Sequence, residues 1–400
     1  MIGNLPSIKD KWQGGFLVRN GAIYGIPENC DEILELLPPR TSEGNVFVRM
    51  MSHDHVNVVL KARNDVKLNP IASSLSLSTS KLTTASGKPL CRYALGGAAR
   101  SVQSSSLPLK YRDLLYCRKE SGSPFYFYYN PHKYPAFLAG VASSFTRDGG
   151  DRKDVFIASG GSDRSISGID KRVRDALQYS GEYLDAFVLE YVCPEELTME
   201  LNDKSLTLQQ RVLQTKLGSE LKDAILHLRS LQADGKIRYI MVSTHSHVVG
   251  AVMSNSEVQY LPAINGIMLR YNLCHKNGAE TLSFPYALQN DLPVIAFTTT
   301  RWNRLLKKDP LGDKSKIVIP PSTADCIKFA LQHPAVEIVL HSARDEEELD
   351  HALSSLIECS ADPNSSSWLS NEKLDAWRSY GDNERLWNEN DEFDEYPEES

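Results

Sequence analysis

From about residue 90 onward the chain alternates short apolar runs with segments of helical period, and no other feature limits its fold as strongly. Eight runs read as strands: Leu90–Leu95, Phe125–Tyr129, Val155–Ala158, Leu184–Leu189, Arg238–Ser243, Ala263–Leu269, Val294–Phe297 and Val336–Leu340. Between the fourth and fifth, Leu213, Leu217, Leu221, Ile225, Leu228 and Leu231 recur every three or four residues, the stripe of an amphipathic helix. Ser322–Leu331 and Glu346–Leu356 flank the last strand with the same period, the second carrying carboxylates in its first turn, where they suit the helix dipole. Strands alternating with helices imply parallel βα units, and eight of them imply an α/β fold of the (β/α)8 TIM barrel kind. A doubly wound open sheet is the alternative topology. The 400 residues, 41% of them hydrophobic, accommodate a barrel of about 250 residues with appendages.

Residues 1–70 read as a small β-rich extension. Gly15-Phe-Leu-Val, the turn Asn20-Gly21, Ala22-Ile-Tyr-Gly-Ile and Glu32-Ile-Leu-Glu-Leu form a β-meander similar to one kelch repeat, and no second copy follows to build a propeller. Residues 71–87 are Ser/Thr-rich and read as a linker, residues 88–387 as the barrel, and residues 388–400 as a solvated acidic tail.

The net charge of −7 supplies no basic field for nucleic acid or an anionic membrane surface. Seven cysteines, an odd number scattered singly, suggest neither a disulfide framework nor a zinc knuckle and suit a reducing cytosol. The N-terminal residues lack the apolar core of a signal peptide, and no run approaches the roughly 20 apolar residues of a membrane span. The expectation is a soluble, cytoplasmic protein with a small-molecule substrate.

In a barrel, chemistry gathers at the C-terminal ends of the strands. Those ends are polar here: Tyr129-Asn130 running on to His132 and Tyr134, Ser159-Gly160-Gly161, Glu190-Tyr191, Ser243-Thr244-His245-Ser246-His247, Arg270-Tyr271-Asn272 and Thr298–Arg301. In Pro124-Phe-Tyr-Phe-Tyr-Tyr-Asn, strand alternation sends Phe125, Phe127 and Tyr129 to one face and Tyr126 and Tyr128 to the other, so most of these rings are core.

Several of these segments resemble one family. Gly235-Lys-Ile-Arg-Tyr-Ile-Met-Val-Ser243 resembles a hallmark of the aldo-keto reductases, and Tyr271-Asn-Leu-Cys-His-Lys-Asn-Gly-Ala-Glu280 resembles that family's exit from strand six. Asp154-Val-Phe-Ile-Ala and Tyr183-Leu-Asp-Ala-Phe-Val-Leu are similar to its third and fourth strands, and Trp377-Arg-Ser-Tyr-Gly-Asp to the terminal helix of a divergent branch, so the likeness runs from about residue 88 to 385. The resemblance implies carbonyl reduction by hydride from NADPH, with a Tyr giving the proton beside a Lys, an Asp and a His. By position, Tyr134 stands for the Tyr, Tyr129 replaces the Asp, Gly160 the Lys and Glu190 the His. A phenol with an ordinary pKa near 10 needs a neighbouring cation to be tuned, and the Lys is the one lost. Tyr134, His132 and Glu190 are therefore the catalytic candidates of a weak or atypical NADP-dependent oxidoreductase.

The resemblance also assigns a cofactor side. Ser243 and Thr244 stand where the nicotinamide amide is held, Gly266 where a strand-six Gln joins them, and Phe297 where a ring stacks on the nicotinamide. Thr298 and Arg301 would face the pyrophosphate, and Ser342 and Arg344 the adenosine 2′-phosphate. Arg344 has a competing reading as a surface pair with Glu347 or Glu348. Two other functions stay open: a non-catalytic barrel that binds a nucleotide or a protein, and a metal-dependent hydrolase barrel built on His53-Asp-His55 or His245-Ser-His247.

Overall fold

The computed structural model describes residues 78–97, 105–117, 122–128, 134–147, 149–198, 212, 214–255, 264–309, 318–361 and 368–383, with the backbone of three strands before them. Tyr129, His132, His53, His55, the proposed strand at Glu32 and the acidic tail lie outside the described residues.

Eight strands close into a barrel, each parallel to its neighbours and placed in chain order. They are β1 (Tyr93–Gly96), β2 (Phe125–Tyr128), β3 (Phe156–Gly161), β4 (Leu184–Leu189), β5 (Ile237–Thr244), β6 (Gly266–Arg270), β7 (Val294–Phe297) and β8 (Val336–His341). The barrel expectation holds, and an open sheet is ruled out by the pairing of β8 with β1. Each strand is followed by helix: α1 (Ser106–Tyr116), α2 (Pro135–Thr146), α3 (Ile166–Ser180), α4 (Ser219–Ala233), α5 (His247–Ser254), α6 (Phe284–Gln289), α7 (Thr323–Leu331) and α8 (Glu346–Ala361). A further helix, α9 (Asn371–Gly381), matches the terminal helix expected at Trp377.

Local chemistry sets the helix starts. Ser165 accepts a hydrogen bond from the Gly168 N–H, Ser246 from Val249, and Ser322 and Asp325 form a reciprocal capping box. Of the stripe read from Leu213, Leu213 itself lies outside the described residues. Leu217 pairs in a two-stranded ribbon, Leu197–Thr198 with Lys216–Leu217, and α4 then buries Leu221, Ala224, Ile225 and Leu228.

Period-two alternation divides the core into two shells. Inside the barrel lie Ala94, Phe125, Phe127, Phe156, Ala158, Ala186, Val188, Met241, Met268, Ile295, Phe297, Ile338 and Leu340. Tyr126 and Tyr128 point the other way, under the helices, and their hydroxyls donate to the carbonyls of Pro108 and Ala176 at 2.8 and 3.3 Å.

The floor of the barrel comes from the stretch read as a linker. Ser78–Thr83 forms a strand and pairs antiparallel with Pro89–Cys91, and Leu82 and Leu90 complete the interior cluster. Arg238, the Arg of the Gly235-Lys-Ile-Arg segment, fastens this hairpin. Its guanidinium donates to the Thr83 and Thr84 carbonyls at 3.0 Å and to the buried Asp185 carboxylate at 2.6 Å. Earlier in the chain, Gly14–Arg19 pairs antiparallel with Ala22–Tyr24, with Arg19 opposite Ala22. The third strand, Val46–Met50, pairs with the first rather than the second. Among the described residues no helix is long and apolar enough to cross a membrane.

Candidate functional site

The inward row of each strand continues past the apolar interior to the C-terminal mouth, where it brings Gly160, Glu190, Ser243, Arg270 and Phe297 to one rim. Glu190 follows β4 directly and is 8% exposed. Its Oε1 is buried without a hydrogen-bond partner, and burial pushes the carboxyl up to about 8 against the opposing pull of Arg172 and then Arg164. The acid is therefore mostly protonated at neutral pH.

Gly160 lies beside it. A Cβ there would overlap the Val188 carbonyl oxygen and stand 2.9 Å from the Val188 Cβ and 3.0 Å from Glu190 Oε1. The place that the resemblance gives to a Lys is thus closed by neighbouring backbone, and no side chain enters without moving β4. Tyr134 is buried just before α2 and belongs to the shell between strands and helices, apart from the interior cluster.

Ser243, on the inward row of β5, is the hydroxyl at the rim. Thr244 faces the other way: it donates to the Val192 carbonyl at 2.7 Å and accepts from the Ser246 N–H at 3.0 Å, so its hydroxyl is committed to the β5–α5 turn. Gly266 is displaced from the position assumed for it. It opens β6 opposite Met241, whereas the β6 residue level with Ser243 is Met268. Register, invisible in one sequence, decides this point.

Phe297 ends β7 on the interior side, and His245 lies against it at 5.1 Å between ring centroids. The His245 ring also stacks on Tyr191 at 5.2 Å and 14°, and on Trp302 at 6.4 Å and 26°. Tyr191 and Trp302 both hold left-handed backbone, with φ of 58° and 50°, a conformation that bulky residues keep only when surroundings impose it. The sequence placed Tyr191 and His245 at strand ends, with His245 considered only as half of a metal-binding pair, and did not single out Trp302, because their convergence is tertiary.

The phosphate-side candidates are engaged elsewhere. Thr298, also left-handed, donates to its own neighbour's carbonyl, that of Phe297, at 2.7 Å. Arg301 is fully buried and reaches Cys274 Sγ at 3.5 Å. Arg344 donates through Nε and its backbone N–H to Glu348 Oε2, both at 2.9 Å, so the competing reading as an ion pair with Glu348 describes it. Glu348 also lies 3.8 Å from His341, whose Nδ1 meets the Tyr93 hydroxyl at 2.9 Å. Ser342 sits over Gly96 at the β8–β1 seam, where any Cβ on Gly96 would collide with its hydroxyl.

The histidine pair does not converge. His245 joins the aromatic group, whereas His247 opens α5 and packs against Gly278, where an added Cβ would stand 2.5 Å from its ring. Burial above all, with Arg270 and His275 nearby, pushes His247 down to about 3. Among the described residues no group of three or more His, Cys, Asp or Glu is arranged to hold a metal ion.

A closed parallel barrel with a buried acid, an inward hydroxyl and an aromatic face at its C-terminal rim has the layout of a barrel oxidoreductase. The model of the aldo/keto reductase family matches residues 128–316, from the end of β2 to beyond β7, and over that span the chain is similar to this family. No curated protein matches the sequence well enough to count as a relative.

Proposed function

We propose that the barrel is a slow, NADP-linked carbonyl oxidoreductase of the aldo/keto reductase type, acting on a small-molecule substrate in the cytoplasm. One observation carries the reading: the Oε1 of Glu190 is buried without a hydrogen-bond partner, and a carboxyl that burial pushes up to about 8 has a proton to offer an acceptor that arrives with the ligand. The residues present fit the nicotinamide end of the cofactor. Ser243 supplies a hydroxyl for the carboxamide, and Phe297 a ring face. They fit the phosphate end less well, since Arg301 is turned inward and Arg344 is neutralised by Glu348.

When bound, the nicotinamide supplies the hydride. The chain's own part is to hold the carbonyl at the rim and give it a proton. Glu190 does so as a neutral acid whose pKa lies close to working pH, the condition under which general acid catalysis is efficient. With Tyr134 in the outer shell and Gly160 barring a lysine, the tyrosine–lysine pair that the resemblance implies is missing and Glu190 must act alone. This is why turnover is expected to be slow even with nucleotide bound.

Titration of the purified full chain with NADPH and with NADH, followed by single-turnover assays on aldehydes, tests the reading. The expected result is binding of NADPH, slow oxidation of the nucleotide by an aldehyde, and loss of that oxidation, with binding retained, in Glu190→Gln. Failure of both nucleotides to bind would replace the proposal with a non-catalytic barrel.

A further inference from the structure

Barrels of this kind often hold a phosphate in the loops after their seventh and eighth strands. After β7, Arg301 is fully buried against Cys274; just beyond the end of β8, the Arg344 side chain is 56% exposed. A guanidinium in that place suits a phosphate dianion. The group that meets it in the fold is instead a carboxylate, that of Glu348, one helical turn on.

An exposed ion pair of this spacing ordinarily contributes little, because two long side chains must be held still to make it. Here one end is already fixed. The Glu348 side chain is only 7% exposed, and its oxygens are gripped from several elements. Oε2 accepts from the Arg344 N–H and Nε, both at 2.9 Å, while Oε1 accepts from the hydroxyl of Thr323, the first residue of α7, at 3.4 Å. Oε1 also lies 3.8 Å from Nε2 of His341, whose Nδ1 is anchored 2.9 Å from the Tyr93 hydroxyl of β1. Burial opposes a charge on Glu348, but the Arg344 N–H, the facing His341 and the Arg344 guanidinium together hold the carboxyl below its usual range. The fold therefore carries its own anion on Arg344.

We propose that Glu348 is a specificity-determining residue: its fixed carboxylate occupies Arg344 in the place of a ligand's phosphate, so the barrel gains little from the 2′-phosphate that distinguishes NADPH from NADH. Arg344 can take a phosphate dianion only in two ways. It can share its charge between two anions that repel each other, or it can leave Glu348 and strand a buried carboxylate with Thr323 and His341 as its remaining side-chain partners. Either way affinity is lost. Asp345, which accepts from the Glu348 N–H at 2.8 Å, adds a further carboxylate to the same turn. NADH, with a hydroxyl in place of the phosphate, meets none of this repulsion. The inference rests on the nucleotide-linked reading of the proposed function.

The test is equilibrium binding of NADPH and of NADH to the full-length parent and to Glu348→Gln, which removes the charge and keeps an oxygen for the Arg344 N–H. The parent is expected to bind the two nucleotides with similar affinity. Glu348→Gln should tighten NADPH by about tenfold or more, the worth of one charge-assisted hydrogen bond, and leave NADH where it was. Adding Arg344→Gln to that variant should abolish the gain. A strong preference for NADPH in the parent, or a Glu348→Gln protein that tightens neither nucleotide or both alike, overturns the inference alone. If the parent binds neither nucleotide, the functional reading falls, and the variant still decides the inference: NADPH binding gained in Glu348→Gln supports it, and none removes it. Should Glu348→Gln not fold, the parent itself gives the answer through its salt dependence, since an ion pair made by the 2′-phosphate would be screened. Equal weakening of NADPH and NADH as salt is raised supports the inference, and a steeper fall for NADPH overturns it.

Discussion

Glu190 and Gly160 form one device at the residue scale, an acid kept neutral by burial beside a position that admits no side chain. The folded protein holds the Glu190 proton up to about pH 8, and the unfolded chain releases it near 4.5. The native state therefore binds more protons across that window, and the contribution of Glu190 to stability is full below about 4.5 and lost as pH rises through 8. Glu190→Gln, which stays neutral, should melt higher relative to the parent at pH 8.5 than at pH 5, by an amount on the order of a few kcal/mol over the window. Thermal melts of both proteins at the two pH values check this, and parallel behaviour would mean that Glu190 is ionised in the fold. For Gly160→Ala, even one methyl must displace the Val188 carbonyl, so a loss of about 1–3 kcal/mol is expected in denaturant titration. Gly161→Ala, which meets Arg172 at ordinary contact distance, should cost less. Glu190 could be singled out from the sequence because it ends a recognisable strand. The closure at Gly160 could not, since it depends on the Val188 backbone of the adjacent strand.

At the scale of elements, what could be read from sequence was whatever has a period. All eight barrel strands and the flanking helices show it, because burial on both faces or on one stripe selects apolar residues at fixed spacing. Ser78–Thr83 escaped because its single large apolar residue, Leu82, leaves no alternation to detect, and its hydrogen bonds to Pro89–Cys91 are a matter of pairing. The docking of α9 is likewise tertiary. Arg378 grips Glu280 with two hydrogen bonds of 2.8 Å, Tyr271 donates to the same carboxylate at 2.7 Å, and the buried Lys276 pairs with Asp382. Burial, the largest influence, would raise the Glu280 pKa, but the Arg378 hydrogen bonds, the charges of His333 and Arg378 and the Tyr271 hydrogen bond together hold the group below its usual range. A depressed folded pKa contributes stability that is present above the unfolded value and lost as pH falls through the folded one. Glu280→Gln should cost about 1–3 kcal/mol at pH 7, toward the lower end because Arg378 is a third exposed, and the difference from the parent should shrink in acid. Chemical denaturation at pH 7 and pH 3.5 measures both numbers; an equal penalty at the two values would show that the charge on Glu280 does not hold α9.

For the whole molecule, the floor hairpin fixes where the barrel begins. The sequence places the boundary at residue 88, on the change from Ser/Thr-rich to apolar composition, but Leu82 fills the barrel interior and Lys81 reaches Asp291 at 2.9 Å and Glu337 at 3.9 Å. Arg238 adds two bonds across the same seam, to the Thr83 and Thr84 carbonyls. Composition marks where a chain is polar, whereas the end of a domain is where contacts across it cease. Two truncations separate the two boundaries. Removal of residues 1–77 keeps the hairpin intact and is expected to leave a soluble barrel that melts cooperatively. Removal of residues 1–88 takes Leu82 out of the interior, leaves Arg238 and Asp185 without the Thr83 and Thr84 carbonyls beside them, and opens the floor to water. Loss of a buried Leu contact alone costs about 2–5 kcal/mol, a large part of the 5–15 kcal/mol by which domains are usually stable. The longer deletion should therefore melt far lower or fail to accumulate as soluble protein. If both truncations melt alike, the hairpin is an appendage and the barrel begins at residue 89; if both collapse, the β-rich extension belongs to the folding unit.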